Sequence, residues 1–404
     1  GARWRLSSSS FLFMTMNRAG RVAQHVRHVR HASQLAAEPV LGEVSTVRTG
    51  QTAVVSLTRP TKLNSLNLNM IRELRATYDK IVAEGAGCVL LKGEGRAFCA
   101  GGDVAAIQQQ VEQGKVDGLP VDFFYEEYQL VEIIATLLGK HKIPQVSLWN
   151  GIVMGGGVGL SVHAPFRVCT EKTVFAMPET KIGLFPDVGA TYALPRLPGG
   201  LPVALMLGLA GTRLKAADCL WAGLATHFIA SDKLPAVEEQ LAQAHGFDDV
   251  KRCLDTFCSH PDQSSATLAQ VEASIQKCFS ADSPAAILKS LDSEGSEWAA
   301  QTAKTLREMS PLSICVSHRA MVEAAKDSCS LQEALVKEYR LSQYCAQRDV
   351  PRSDFQRGVR AVLIAKPAEV PQYSHASVED VPAALVQEFF EPLPQGHPRG
   401  ELAL

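Results

Sequence analysis

Three features that define common classes of protein are missing from this sequence of 404 residues. No apolar run approaches the roughly 20 residues that a membrane-spanning helix needs, so no membrane partner is expected. The net charge is only −2, which gives no general signal for nucleic acid or for an anionic membrane surface. The ten cysteines include no Cys-x-x-Cys pair and no zinc-ligand set. We therefore expect reduced, mostly buried thiols in an intracellular protein, and no metal site.

Acidic residues are also missing from the start of the chain, where the first one is Glu38. Six arginines and three histidines occur before it, among serines and apolar residues. This composition is typical of a mitochondrial transit peptide, so residues 1–40 predict delivery to the mitochondrial matrix. A basic leader without a targeting role is the alternative interpretation.

Two glycine-rich turns each follow an apolar segment that resembles a buried strand. The first turn is Phe98–Asp103, after Cys88–Lys92, and the second is Met154–Gly159, after Pro144–Trp149. A strand that leads through a glycine turn into a helix leaves backbone N–H groups without partners at one point. Two such turns brought together would offer two donors to one oxygen anion. Neither predicts a phosphate loop, because no Gly-Lys-Ser/Thr follows.

A third segment, Met177–Asp187, carries two carboxylates directly after the strand-like Thr173–Ala176. The two acids are Glu179 and Asp187. Each taken alone has a structural interpretation, Glu179 as an acid in the first turn of a helix and Asp187 as an N-cap. Together with the two glycine turns, they predict a catalytic site.

These three segments resemble those of the crotonase (enoyl-CoA hydratase/isomerase) superfamily, and the resemblance extends over roughly residues 45–365. It implies an α/β fold, namely a crotonase-like spiral of stacked ββα units with a helical C-terminal extension. It also implies that the N–H groups of Gly102 and Gly156 form an oxyanion hole. Hydratases of the superfamily carry one catalytic glutamate where this sequence has Gly159, and their second glutamate matches Glu179.

The missing glutamate argues against a hydratase, because adding water across a double bond needs two groups acting on one water. The hydrolase branch of the superfamily has both Glu179 and Asp187, in the same Met-Pro-Glu and Phe-Pro-Asp settings. A further substrate-contacting glutamate of that branch matches Glu127, although a Glu-Glu pair on an amphipathic helix is also typical of a solvated face. C-terminal signatures of the branch match Glu338–Gln343 and Gly358–Ala361.

The resemblance implies hydrolysis of a short 3-hydroxyacyl-CoA, with 3-hydroxyisobutyryl-CoA of valine breakdown as the expected substrate. Glu179 would attack the thioester carbonyl, or activate a water that does, while Gly102 and Gly156 stabilise the oxyanion. Asp187 would orient the substrate hydroxyl, the water or Glu179, and these alternatives stay open. No separate cofactor is expected, because coenzyme A is part of the substrate.

The other substrate contacts follow from the same resemblance. Two residues of the first turn are expected to contact the substrate: Phe98 and Ala100. The segment Thr58–Asn67 is similar to the family loop that surrounds coenzyme A, but the lysine that usually follows the proline is displaced by one position to Lys62. Arg360 and Lys366 are candidates for binding the phosphates of coenzyme A, although surface solubility explains either one alone.

The hydrophobic pattern divides the rest of the chain into two regions. Strands and helices alternate over residues 44–233, which predicts the spiral core with mostly buried strands. Over residues 234–404 strand signals fade and helical spacing dominates. This helical region is longer than a simple hydratase needs, and it is expected to fold back over the site.

Two other functions fit parts of the sequence. An enoyl-CoA hydratase or isomerase is disfavoured by Gly159. A structural subunit of the small subunit of the mitochondrial ribosome, derived from such a hydrolase, would explain three features as RNA- or protein-facing surface. These are the altered coenzyme A loop, Arg357 in place of an acid, and the basic leader. This alternative would imply association with the mitochondrial ribosome. A homo-oligomer is also an expected interaction, but crotonase relatives assemble in several ways, so the sequence does not indicate the oligomeric state.

Overall fold

A computed structural model describes residues 42–115, 117–347 and 353–404, and the predicted leader over residues 1–40 lies outside these ranges. The described strands are β1 (Val44–Thr49), β2 (Thr52–Leu57), β3 (Cys88–Gly93), β4 (Ala97–Cys99), β5 (Gln145–Trp149), β6 (Ile152–Met154), β7 (Phe166–Cys169), β8 (Val174–Ala176) and β9 (His227–Phe228).

The helices of the first region are α1 (Leu68–Glu84), α2 (Val104–Glu112), α3 (Leu119–His141), α4 (Gly156–Gly159), α5 (Ala190–Ala193), α6 (Gly200–Ala210) and α7 (Ala216–Trp221). Those of the C-terminal region are α8 (Leu234–Leu241), α9 (Phe247–Phe257), α10 (Thr267–Gln270), α11 (Glu272–Phe279), α12 (Pro284–Glu294), α13 (Glu297–Arg307), α14 (Pro311–Ala324), α15 (Leu331–Gln347), α16 (Asp354–Val359) and α17 (Ala383–Glu388). Three shorter turns also bear on the site: the 3-10 turns Pro60–Lys62 and Glu179–Ile182, and the π-helical turn Arg360–Ile364.

The strands form two sheets that the chain enters alternately. The larger sheet has the order β1-β2-β3-β5-β7-β9, in which β1 is antiparallel to β2 and the other pairs are parallel. The smaller sheet has the order β4-β6-β8 and is entirely parallel. Three successive units each place one strand in the large sheet and the next in the small sheet, and helices separate the units. The predicted spiral of stacked ββα units is thereby confirmed.

The large sheet is covered on both faces, which explains why its strands are continuous apolar runs in the sequence. In β3, Val89 and Leu91 belong to the main hydrophobic core, whereas Cys88 and Leu90 pack in a second cluster. That second cluster also contains apolar side chains of α8 and α9, so these two helices cover the other face of the sheet.

The predicted helical C-terminal region is confirmed, since none of the described residues after β9 belongs to a strand. It packs back on the first region: α15 lies against α3 and α5, and α16 lies against the turn Glu179–Ile182. The division at residues 233 and 234 stays a prediction.

All ten cysteines lie within the described ranges, where none forms a disulfide and seven are buried. Among the described helices, none is both long enough and apolar enough to cross a membrane. In the same ranges, no three His, Cys, Asp or Glu side chains are grouped so that they could hold a metal ion.

Candidate active site

The three segments that the sequence singles out meet because the strands before them are parallel neighbours. β4, β6 and β8 end at the same edge of the small sheet, and each is followed by one of these segments. The segments surround a cavity of about 270 Å³. Six of the predicted site residues line it: Ala100, Gly102, Glu127, Gly156, Glu179 and Asp187.

The two glycine turns approach each other closely. A Cβ atom added at Gly156 would lie 3.5 Å from the backbone nitrogen of Gly102 and 2.5 Å from Oε1 of Glu127, so a side chain at this position would displace the Glu127 carboxyl group. Within the described ranges, neither the Gly102 nor the Gly156 N–H donates to an acceptor. The turns therefore offer two free donors close together, as an oxyanion hole requires.

The loop that resembles the coenzyme A loop fixes the first of these turns. The Leu66 N–H donates to the carbonyl oxygen of Gly101 at 2.8 Å, and the Asp103 N–H donates to that of Leu66 at 2.7 Å. The guanidinium of Arg59 binds a carboxylate oxygen of Asp103 with two hydrogen bonds of 3.0 Å. The residues that flank Gly102 are thus anchored by this loop, which leaves the Gly102 N–H unpaired.

Three carboxyl groups are buried around the cavity. Glu127 comes from α3, Glu179 begins its 3-10 turn, and Asp187 follows that turn; each is at most 5% exposed. The interpretation of Glu127 as part of a solvated face is wrong, because it is the neighbouring Glu126 that binds Arg72 at the surface.

Burial and mutual repulsion shift the pKa values of all three groups. Burial is the main cause that raises the pKa of Glu127 and of Glu179 well above the usual range, and the charge of Asp187 adds to it. Burial also raises the pKa of Asp187 to about 7, although the Tyr128 hydroxyl opposes this by donating to Asp187 Oδ2 at 2.8 Å. The three groups therefore titrate together, and Asp187 is the favoured site for the first negative charge.

Two of the carboxyl oxygens have no partner. Oε1 of Glu127 and Oε2 of Glu179 are buried and accept no hydrogen bond from any described residue. A buried acceptor without a donor costs about 1–3 kcal/mol, so folded proteins rarely keep one without a use. Both oxygens belong to residues that line the cavity, which suits contact with a ligand there.

The residue after Asp187 explains why the site has no second hydratase-type glutamate. Val188 has a φ of 56°, a conformation that a β-branched residue rarely adopts. In this conformation its side chain fills the space beside Gly159, where an added Cβ would lie 2.5 Å from the Cβ of Val188. The position at which hydratases carry a glutamate is therefore closed by Val188.

The unusual turn at Val188 is held from both sides. The Gly189 N–H donates to Glu338 Oε2 at 2.6 Å, and the Thr191 N–H donates to Oε1 at 3.2 Å. His163, whose pKa burial lowers to about 4, places Nε2 3.2 Å from the carbonyl oxygen of Val188. Glu338 lies on α15, so the C-terminal region fixes the backbone next to Asp187.

The structure does not bring the other predicted contacts to the cavity. Phe98 is buried in the hydrophobic core on β4, and Lys62 is exposed on its 3-10 turn. Arg360 is exposed 3.8 Å from Glu112, and Lys366 is exposed beyond the π-helical turn. Their roles stay predictions.

Sequence reasoning gave no role to five residues that shape the site. Tyr128, Val188 and Glu338 act on Asp187 or its turn, and Lys181 and Arg213 line the cavity as its two cationic residues. Of these five residues, only Lys181 stands next to a predicted catalytic residue in the sequence, two positions after Glu179, so only Lys181 could have been found from the sequence.

Comparison with known proteins agrees with this fold and site. The model of the Enoyl-CoA hydratase/isomerase family matches residues 52–390. The chain belongs to this family and thus to the crotonase superfamily, as predicted.

Within the family, the chain is similar to proteins named 3-hydroxyisobutyryl-CoA hydrolase, mitochondrial. The one from Danio rerio is 43% identical and covers 87% of this chain and 90% of its own, and the one from Homo sapiens is 40% identical with coverages of 96% and 97%. A crystal structure of a carnitinyl-CoA dehydratase from Mycobacterium thermoresistibile has a TM-score of 0.78 at 32% identity, covering 89% of this chain and 98% of that one.

The contact between Gly159 and Val188 predicts the effect of two substitutions. Gly159→Ala is expected to cost about 1–3 kcal/mol of unfolding free energy, because its methyl group meets Val188 in a packed site. Val188→Gly relieves this clash, so the pair should show a favourable coupling of about 1 kcal/mol in urea unfolding of the single and double variants.

A matched control is Gly139→Ala in α3, where an added Cβ meets nothing within 4 Å. This variant should be neutral or slightly stabilising. Equal costs at Gly159 and Gly139, or additive effects of the two substitutions, would contradict the account of Val188.

The raised pKa of Asp187 predicts a pH-dependent cost to stability. The pKa of Asp187 is near 3.9 in the unfolded chain and about 7 in the folded protein. Between these two pH values the unfolded chain has lost the proton of Asp187 and the folded protein still holds it. The free energy of unfolding therefore falls as the pH rises through this window. Asp187→Asn removes the effect. The variant should gain stability over the parent protein as the pH rises, by about 1.36 kcal/mol per unit of pKa shift, and the gain should level off above about pH 7.

Urea unfolding at pH 4.5, 6 and 8 measures this difference, with Asp79→Asn on the exposed face of α1 as the matched control. A difference between Asp187→Asn and the parent that does not change with pH would sink the prediction.

Proposed function

We propose that this protein is a thioester hydrolase of the mitochondrial matrix that cleaves 3-hydroxyisobutyryl-CoA, or a similar short 3-hydroxyacyl-CoA, to the free acid and coenzyme A in valine breakdown. The observation that carries this proposal is the buried cluster of Glu127, Glu179 and Asp187 facing two glycine turns with free N–H groups. The relatives named for this activity, at 40% identity over 96% of the chain in the human case, support the same substrate.

The site contains what hydrolysis of a thioester needs. Water must add to the carbonyl carbon, the carbon–sulfur bond must break, and the departing sulfur must receive a proton. The N–H groups of Gly102 and Gly156 would bind the oxygen as it becomes negative, and one such donor contributes about 3–4 kcal/mol to transition-state stabilisation. The carboxyl cluster, with a first ionisation near neutral pH, can hold one group as a base and another as an acid.

Glu127 and Glu179 both lie close to the second donor turn, and the resemblance to the hydrolase branch favours Glu179 as the group that acts on the carbonyl carbon. A Cβ added at Gly155, next to the second donor turn, would lie 2.9 Å from Glu179 Oε1, so the carboxyl group lies beside the oxyanion hole. Direct attack by Glu179 and activation of a water both remain consistent with this position. Asp187, whose ionised form is stabilised by the hydrogen bond from Tyr128, would carry the negative charge of the carboxyl cluster before substrate binds. It would then orient the substrate hydroxyl, the water or Glu179.

The replacement of Glu179 by Gln tests the proposal. Purified parent protein should release free thiol from 3-hydroxyisobutyryl-CoA and should not hydrate crotonyl-CoA. Glu179→Gln should lower kcat by about 10²–10⁴-fold if the residue is a general base, and by more if it is the nucleophile. Glu239→Gln, at an exposed position of α8, is the matched control. A parent protein that releases no thiol from any short acyl-CoA would refute the proposed function.

The hydrogen bond from Tyr128 predicts a change in the pH profile. If the cluster must carry one negative charge, kcat/KM of the parent should fall as the pH drops below about 7. Tyr128→Phe removes the donor that stabilises ionised Asp187, so this limb should move to higher pH by about one unit. Tyr125→Phe, one turn away on α3, is the control. If the acidic side of the kcat/KM profile lies at the same pH in Tyr128→Phe and in the parent, ionisation of Asp187 does not govern the rate.

Assembly into a homo-oligomer and association with the mitochondrial ribosome stay predictions. Nothing in the described ranges favours the ribosomal role, or a hydratase or isomerase activity, over the hydrolase. Co-sedimentation with mitochondrial ribosomal subunits at moderate salt would test the ribosomal association separately from catalysis.

A further inference from the structure

Residues 392–404, which we call the C-terminal tail, contact the two helices that carry buried acids of the site. α3 supplies Glu127 and Tyr128, and α15 supplies Glu338. These two helices pack against each other. The inner sides of both helices hold the groups that surround Asp187, and the tail binds to their outer sides.

The tail has a defined shape of its own. The His397 N–H donates to the carbonyl oxygen of Pro394 at 3.0 Å, and the Gly400 N–H donates to that of His397 at 3.0 Å. Oε1 of Glu401 accepts a hydrogen bond of 3.0 Å from the Leu393 N–H. These bonds fold the tail into a compact loop, so its contacts with the two helices are held at fixed positions relative to each other.

One side of the tail is bound to α15. Oε2 of Glu401 accepts a hydrogen bond of 2.8 Å from Nε of Arg340, and the Tyr344 hydroxyl donates to the carbonyl oxygen of Pro392 at 3.2 Å. Between these points Leu402 is buried in the main hydrophobic core. The burial of an apolar side chain together with hydrogen bonds at both ends anchors the tail to this helix.

The other side of the tail is bound to α3. Nε of Arg399 donates to Asp122 Oδ1 at 2.7 Å, and its Nη2 donates to Glu126 Oε1 at 3.1 Å. One turn further along, Nε2 of Gln129 donates to the carbonyl oxygen of Ala403 at 2.8 Å. Three polar side chains at a spacing of four and three residues share one face of a helix, so the tail binds a single continuous face of α3.

The start of α3 depends on such contacts, because Gly118 provides no side-chain cap for its first turn. Arg72 of α1 binds both carboxylate oxygens of Glu126 at 2.7 Å. Arg399 joins Glu126 to Asp122 from the other direction. Two guanidinium groups and two carboxylates thus form a network, which contributes more than one exposed ion pair does.

The residues that follow this network are the ones that reach the cavity. Glu127 comes directly after Glu126, and its Oε1 lies beside Gly156 of the second donor turn. Tyr128 comes next and donates to Asp187 at 2.8 Å. Hydrogen bonds weaken steeply when their distance or angle changes, so a small shift of this turn of α3 would disturb both groups.

We propose that the C-terminal tail positions Glu127 and Tyr128 for hydrolysis by holding the first turns of α3 to α15, and that Arg399 is its main positioning residue. Arg399 does not line the cavity, so it acts through α3. This role rests on the proposed hydrolase function. It extends the support of the site to the last residues of the chain, beyond the contacts that fix the turns of Glu179 and Asp187.

The test is Arg399→Gln in the full chain, with 3-hydroxyisobutyryl-CoA as substrate. kcat should fall by about 10–100-fold, because a misplacement of about 1 Å in an active site can cost about 10²-fold, and KM should change less. The acidic side of the kcat/KM profile should move to higher pH, because the hydrogen bond from Tyr128 to Asp187 weakens. Arg399→Lys keeps the positive charge and should restore most of kcat.

Arg319→Gln is the matched control. Arg319 binds Glu323 and Gln387, and its guanidinium lies 4.1 Å from the centroid of the Phe390 ring, so it joins another part of the C-terminal region to α14. Its side chain is 31% exposed, against 38% for Arg399. The control should lose a similar amount of stability in urea unfolding, but its kcat and the acidic side of its profile should match those of the parent.

Two results would overturn this role of the tail. The first is a kcat of Arg399→Gln equal to that of the parent or of Arg319→Gln. The second is a lower kcat in Arg399→Gln with the acidic side of the profile unmoved, since the tail would then not act through Tyr128.

Failure of the proposed function is a separate result, because the parent protein would then cleave no thioester. The tail can still be tested in that case by the stability that Asp187→Asn gains with rising pH. In the Arg399→Gln background a weaker hydrogen bond from Tyr128 leaves the pKa of Asp187 higher, so this gain should level off at a higher pH than in the parent background. The same levelling pH in both backgrounds would overturn the role of the tail.

Discussion

The burial of three carboxyl groups around one small cavity is the constraint on which the rest of this structure depends. Carboxyl groups resist both removal from water and close approach to each other, and the raised pKa values of Glu127, Glu179 and Asp187 record both effects. Such a cluster persists only where a rigid framework holds each group in place. Here the framework is the shared edge at which β4, β6 and β8 end, with α3 packed across it to supply Glu127 and Tyr128. Part of the stability of the fold is therefore used to maintain a reactive arrangement.

The C-terminal region belongs to this framework. Glu338 on α15 accepts two backbone N–H donors from the turn after Asp187, and burial raises its own pKa to about 8 against the effect of those donors. α16 lies against the turn that begins with Glu179, and Tyr373 binds the carbonyl oxygen of Lys181. The extension beyond β9 thus positions catalytic groups as well as covering them.

The sequence predicted the parts of the site that lie next to strand ends. Gly102, Gly156 and Glu179 could be found from the glycine- and acid-containing motifs around them. The short strands β4 and β6 that position the two glycine turns were not predicted, because the apolar runs found before those turns are β3 and β5 of the large sheet. The helical character of residues 234–404 was also predictable from spacing, although spacing did not show the break between α10 and α11 at Val271. Glu338 was not predictable as an anchor, because its role depends on a contact between residues 149 positions apart. Hydrophobic spacing carries no information about such a pairing.

The donor turns and the acids of this site differ in how far they determine the reaction. The two donor turns require only small residues at strand ends, and they are compatible with any reaction that builds negative charge on a thioester oxygen. The choice of reaction depends on where the acids stand. In this chain the backbone at Val188 adopts a costly conformation that closes the space beside Gly159. An acid at position 159 and the present turn at Val188 exclude each other sterically. The arrangement that favours hydrolysis is therefore incompatible, in one and the same fold, with the two-glutamate arrangement that hydration needs.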